Sequence, residues 1–148
     1  MAHALIDEHN QIFLIAESTE ELQLQYPHYG LYENNHSGRM ITISQEDFDA
    51  LQDGSKKGSF NGTNLVLENT NYFFNNQEQA DQLIESKITQ LNNSYNRFKS
   101  NAFGVKINNY KTVLTNLDTS TISYPYNGTI EQYLKSQGHS IVGYLQIH

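Results

Sequence analysis

Between Asn76 and Ala102, large apolar residues fall at Ile84, Ile88, Leu91, Tyr95, Phe98 and Ala102, stepping 4-3-4-3-4 through a segment dominated by Gln, Asn, Ser, Glu and Lys. That spacing draws a narrow stripe down one side of a helix, and a stripe of this kind is a packing seam. The pattern predicts a helix over 76–102 that stops near Gly104. Two surfaces can cover the seam: the chain's own domain, or a neighbouring subunit. At about two and a half heptads the stripe is short for a free-standing coiled coil.

The rest of the chain reads as short strands and short capped helices. Ala4-Leu5-Ile6 and Ile12 to Ala16 flank the turn cluster Asp7 to Gln11, which predicts an opening hairpin. Ser18-Thr19-Glu20-Glu21 and Ser44-Gln45-Glu46-Asp47 are helix starts, the first with capping-box spacing, and Gly54 is placed to close the second helix. Strands are expected at Tyr29 to Glu33 and Arg39 to Ile43. The turn dipeptide Asn61-Gly62 precedes a closing strand at Leu65 to Leu67, and Lys56-Lys57 reads as part of a Gly/Ser loop. Past the long helix, Val105-Lys106-Ile107 reads as a strand. Tyr110, Val113, Leu114 and Leu117 have helical spacing, Thr129 to Lys135 forms a short helix, and Ile141 to Ile147 a terminal strand. The fold class expected is α+β, divided into an N-terminal unit (1–71), an aromatic anchor with the long helix (72–103), and a C-terminal α+β segment (104–148).

Composition removes several functions. A net charge of −7 with two arginines in 148 residues leaves too few cations for phosphate-backbone binding, so no nucleic-acid partner is expected. No run approaches the roughly 18 apolar residues of a membrane span, and the first residues lack a basic, then apolar, export signal. Without cysteine there is neither a disulfide nor a thiolate metal site. The 29 Asn and Gln make the surface largely uncharged amide.

Signals for chemistry are weak. His3, His9, His28, His36, His139 and His148 lack the close spacing that puts two imidazoles on one ion, so no metal and no cofactor are expected. The pairs Glu20-Glu21 and Glu46-Asp47 lie in first turns of helices, where the helix dipole favours acids without any catalytic role. No nucleophile elbow or phosphate loop is present, and the chain is read as a non-enzyme. Candidate interface residues are the seam (Ile84, Ile88, Leu91, Tyr95, Phe98), the anchor Tyr72, Phe73 and Phe74, and the terminal-strand residues Ile141, Tyr144 and Leu145. A candidate ligand surface is formed by Tyr26, Tyr29, Tyr32, Tyr124 and Tyr126, whose mixture with Asn, His and Gly is that of binding loops; packing at the edge of a small core accounts for them equally well.

The opening Met1 to Glu8 with its following hairpin resembles the first strands of tailed-bacteriophage tail and tail-fibre-associated proteins. Gln77 to Phe98 followed by Phe103-Gly104-Val105-Lys106-Ile107-Asn108 is similar to helix-then-strand segments of the same group. The resemblance covers half the chain and carries no motif that assigns a functional residue. It implies a structural component of a virion, in tail, baseplate, neck or fibre attachment, made in the host cytoplasm. Its partners would be other virion proteins, with copies of itself as further candidates. The alternatives are a carbohydrate- or ligand-binding module and a fibre-assembly chaperone.

Overall fold

Strand β1 (Ala2–Ile6) is buried at every position because it lies in the middle of a three-stranded antiparallel sheet, order β2-β1-β3, with helices over both faces. Its partners are β2 (Ile12–Ala16) and β3 (Arg39–Ile43), with Leu5 opposite Leu14 on one side and Met40 on the other. Alternation divides the side chains between faces. Ala2, Ala4 and Ile6 pack with Ile12, Ile15, Phe48 and Leu51 beneath α2 (Gln45–Asp53), whereas Leu5, Leu14 and Ala16 pack with Leu22 of α1 (Thr19–Gln25). The computed structural model describes residues 1–27 and 39–142. The expected strand at Tyr29 to Glu33, residues Tyr29, Tyr32, Tyr144 and Leu145, and all of the terminal strand beyond Val142 lie outside that range.

The helix starts obey local chemistry. Ser18 Oγ and Ser44 Oγ each accept the amide three residues on, at 3.1 Å. The reciprocal half of the first capping box is missing, because Glu21 turns instead to Lys106, 3.0 Å away. Gly54 closes α2 at φ +77°, a left-handed conformation that costs glycine little. Lys56 and Lys57 do not sit in a loop. They open β4 (Lys56–Phe60), which pairs antiparallel with β5 (Leu65–Asn69) around the Asn61-Gly62 turn.

The seam helix is α3 (Gln77–Phe98), capped by Asn76, whose side chain accepts the Gln79 amide at 3.0 Å. It ends earlier than Ala102 because a second helix, α4 (Ala102–Asn116), begins there with Asn101 as its cap. Val105-Lys106-Ile107 is therefore helical, and the helix-then-strand order expected at Phe103 to Asn108 is a helical hairpin. The β-branched pair Val105 and Ile107 misleads locally. Phe103, Ile107, Tyr110 and Leu114 are the controlling signal: they are buried, spaced 4-3-4, and share one core with the seam. The boundary drawn between 103 and 104 thus falls inside the first turn of α4. A 3-10 turn (Thr119–Thr121), the short pair β6 (Phe73–Phe74) and β7 (Tyr126–Asn127), and α5 (Ile130–Ser136) complete the described fold, which is α+β.

Buried residues of the helical core all lie at Phe74 or later, and those of the two sheet cores at Phe60 or earlier. The halves are joined by directed bonds. Asn101 Nδ2 donates to the Leu24 carbonyl at 3.2 Å, Gln52 Nε2 to the Ile141 carbonyl at 3.1 Å, and Lys135 meets Asp53 at 3.2 Å. Among the described residues no helix is long and apolar enough to cross a membrane.

Candidate functional site

The segment that leads from β5 into α3 carries the anchor Tyr72-Phe73-Phe74, and its three rings do different things. Pairing of β6 with β7 sets Phe74 opposite Tyr126, and the two rings stack at 5.1 Å. Phe74 is 1% exposed, and strand alternation then turns Phe73 outward, 58% exposed. Tyr72 is 62% exposed, its carbonyl held by the Gly128 amide at 2.8 Å. Leu83, one residue off the seam on α3, adds a third exposed apolar side chain.

These three side chains border one cleft of about 420 Å³ between the two halves. Gln52 of α2, Lys56 and Lys57 of β4, and Thr70 line one side; Leu83 and Lys87 of α3 with Gly128, Thr129 and Glu131 line the other. Its floor includes Leu51, Phe74 and Ile130, each almost wholly buried. Two further hollows adjoin it: one of about 330 Å³ beside Ser55, Asn127 and Gln132, and one of about 410 Å³ beside Gln79, Gln82 and Ser86. Phe73 lines all three, so it stands as a ridge between concave surfaces.

The charges in the cleft differ in their partners. Lys87 is ion-paired with Glu131, which is buried. Lys57 reaches Glu68 at 3.9 Å with both side chains exposed. Lys56 is half-buried and has no ion-pair partner among the described residues. Behind Glu131 lies Tyr110, whose hydroxyl is buried without a hydrogen-bond partner among the described residues; burial foremost, and the nearby Glu131 charge, raise its pKa well above the ordinary tyrosine value.

The seam does not form a free surface. Ile84, Leu91 and Phe98 are buried in the chain's own core against α4, and Ile88 and Tyr95 are half-buried on the same core, so the seam is spent inside the molecule in this conformation. Ile141 is also buried there. Of the candidate interface residues, Tyr72 and Phe73 are exposed. Tyr124 and Tyr126 pack on Phe74, at 5.9 and 5.1 Å between ring centres, and Tyr126 also meets Tyr133 edge-on at 5.5 Å. Burial raises the Tyr126 pKa, with Tyr133 adding to it. Tyr26 stands edge-on to Phe13 at 6.0 Å on the α1 side of the sheet. These three tyrosines pack at the edges of cores, Tyr26 on the sheet and Tyr124 and Tyr126 on the helical half.

Lys56, Leu83, Lys87 and Glu131 were not marked by sequence reasoning as members of a site. Leu83 carried a signal, being a large apolar residue beside the stripe on an otherwise polar helix. The cleft itself is assembled from residues up to 80 positions apart, Leu51 to Glu131, which no local pattern encodes. No protein-family profile, curated protein sequence or solved structure matches the chain.

Proposed function

We propose that this chain is a non-enzymatic docking subunit of a larger particle, of the tailed-phage kind that its opening hairpin resembles, and that a neighbouring subunit seats on the Tyr72-Phe73-Leu83 rim. The observation that carries the docking reading is the exposure of Tyr72 and Phe73 on backbone held by the β6–β7 pair, directly above a preformed cleft. Aromatic side chains on rigid backbone beside a pocket are the composition of interface hot spots. Isolated apolar residues on a surface need no explanation, but three around one cleft form a patch. The side chains lining the cleft include no nucleophile hydrogen-bonded to a base, which supports binding over catalysis.

Particle incorporation tests the reading. In cells that assemble the tailed particles, the wild-type chain is expected to co-sediment with them on a density gradient, and a Phe73→Ser, Leu83→Ser variant to stay in the soluble fraction. Complete, infectious particles lacking the wild-type chain would overturn it.

A further inference from the structure

We infer that the cleft beneath Phe73 receives an extended acidic peptide segment of the partner, with one apolar side chain over Leu51, Phe74 and Ile130 and a carboxylate against Lys56. This rests on the docking reading above and names the chemistry of what docks.

Charge is the first ground. The chain carries −7 overall, yet three of its nine Lys and Arg residues, Lys56, Lys57 and Lys87, line this one cleft, against a single lining carboxylate among the described residues, Glu131. Lys87 answers Glu131, and Lys57 answers Glu68 outside the cleft. Lys56 remains, half-buried over an apolar floor and without an ion-pair partner among the described residues. A cation partly removed from water gains more from a carboxylate than a fully exposed one does, because screening there is weaker. One unanswered lysine is too little for a nucleic-acid backbone, which requires several phosphate contacts, but it suits a single carboxylate.

Shape is the second ground. Phe73 separates hollows of about 420, 330 and 410 Å³, which together form a track and not one enclosed cavity. The largest is within the range of roughly 300–1,000 Å³ typical of ligand sites. An extended chain fills such a track by sending successive side chains to different hollows. The uncharged linings of the two outer hollows, Gln79, Gln82 and Ser86 on one side and Ser55, Asn127 and Gln132 on the other, offer hydrogen bonds to peptide groups.

The test uses the full chain and a fluorescein-labelled decapeptide in which Glu alternates with Leu and Phe, with a second peptide carrying Gln at every Glu position. Fluorescence anisotropy is expected to show saturable binding of the acidic peptide, weakened by added salt and reduced about fivefold by Lys56→Gln, the loss of one partly buried charge pair. Lys57→Gln, at the already paired and exposed lysine, should change it less, and Phe73→Ser should abolish it; thermal unfolding of each variant verifies that the fold is retained. Equal binding of the Gln peptide, or an unchanged affinity in Lys56→Gln, overturns the charge assignment. If neither peptide binds while particle incorporation still depends on Phe73, the peptide inference fails and the docking reading stands. If incorporation is also independent of Phe73, both fail.

Discussion

The Thr129 hydroxyl donates a hydrogen bond to the Asp53 carbonyl, joining the last residue of α2 to the cap of α5 across 76 positions of sequence. The same oxygen accepts the Gln132 amide at 3.1 Å, and Gln132 Oε1 returns to the Thr129 amide at 2.8 Å, a complete capping box. One side chain therefore both starts α5 and fixes one wall of the cleft to the other. Thr129→Val keeps the shape and removes both bonds, so it should cost about 2 kcal/mol, the sum of a lost cap and an orphaned carbonyl. Thr129→Ser should recover most of it. Urea denaturation followed by circular dichroism measures the difference; a Val variant as stable as wild type would remove Thr129 from the link between the halves.

Tyr110 supplies a second prediction, with a pH dependence. Its hydroxyl is buried, has no hydrogen-bond partner among the described residues, and is raised in pKa by burial and by Glu131. A group whose pKa is raised on folding contributes stability that is fully present below its unfolded value, about 10 for tyrosine, and is lost as pH climbs beyond it. Wild type should consequently lose stability above about pH 10, and Tyr110→Phe should lose less there. Near neutral pH the Phe variant should equal or exceed wild type by about 1 kcal/mol, since a desolvated hydroxyl without a partner is removed. Thermal melts at neutral and alkaline pH test both halves of this expectation.

The turn between α3 and α4 depends on a missing side chain. A Cβ on Gly104 would stand 2.1 Å from the Phe98 carbonyl oxygen, well inside contact distance. The Asn101 amide is bonded to that same carbonyl at 3.0 Å, so the turn cannot open to admit a methyl group without losing a bond. Gly104→Ala should destabilise by about 3 kcal/mol through overpacking against backbone. Val105→Ala, on the exposed face one residue on, should be nearly neutral. Comparable midpoints for the two variants would show that the close approach carries no energetic weight.

Gly104 also shows where sequence reasoning stopped. Caps at Ser18 and Ser44, the helix-closing Gly54 and the turn at Asn61-Gly62 are all legible because each is decided by bonds within four residues. In sequence Gly104 reads as the end of one helix, yet it sits in the first turn of the next, because a glycine needed for close approach looks the same in sequence as one that stops a helix. The seam at Ile84, Leu91 and Phe98 was visible, and its cover was not. That cover is the second stripe, Phe103, Ile107, Tyr110 and Leu114, hidden behind the β-branched Val105 and Ile107. The cleft was illegible for a different reason. Lys56 comes near Phe73 through the β4–β5 pairing that sets it opposite Asn69, but Leu51 and Glu131 reach the same space from segments 80 positions apart, held by bonds such as that of Thr129 to Asp53, and tertiary bonds of that span leave no periodic trace.

Core and rim should separate cleanly in mutants. Leu91 is 1% exposed between α3 and α4, so Leu91→Ala should cost about 3 kcal/mol through the cavity it leaves. Phe73→Ser combined with Leu83→Ser removes two exposed side chains and should change stability by no more than about 0.5 kcal/mol per site, since neither is in the buried core. Light scattering on the same proteins reads the other axis. If copies of the chain associate through the rim, the Phe73, Leu83 variant should become monomeric while fully folded, whereas a Leu91→Ala protein that remains folded should keep the wild-type mass. A Leu91→Ala variant that loses mass without losing stability would return the seam to the interface and place the contact on α3 instead of on Phe73.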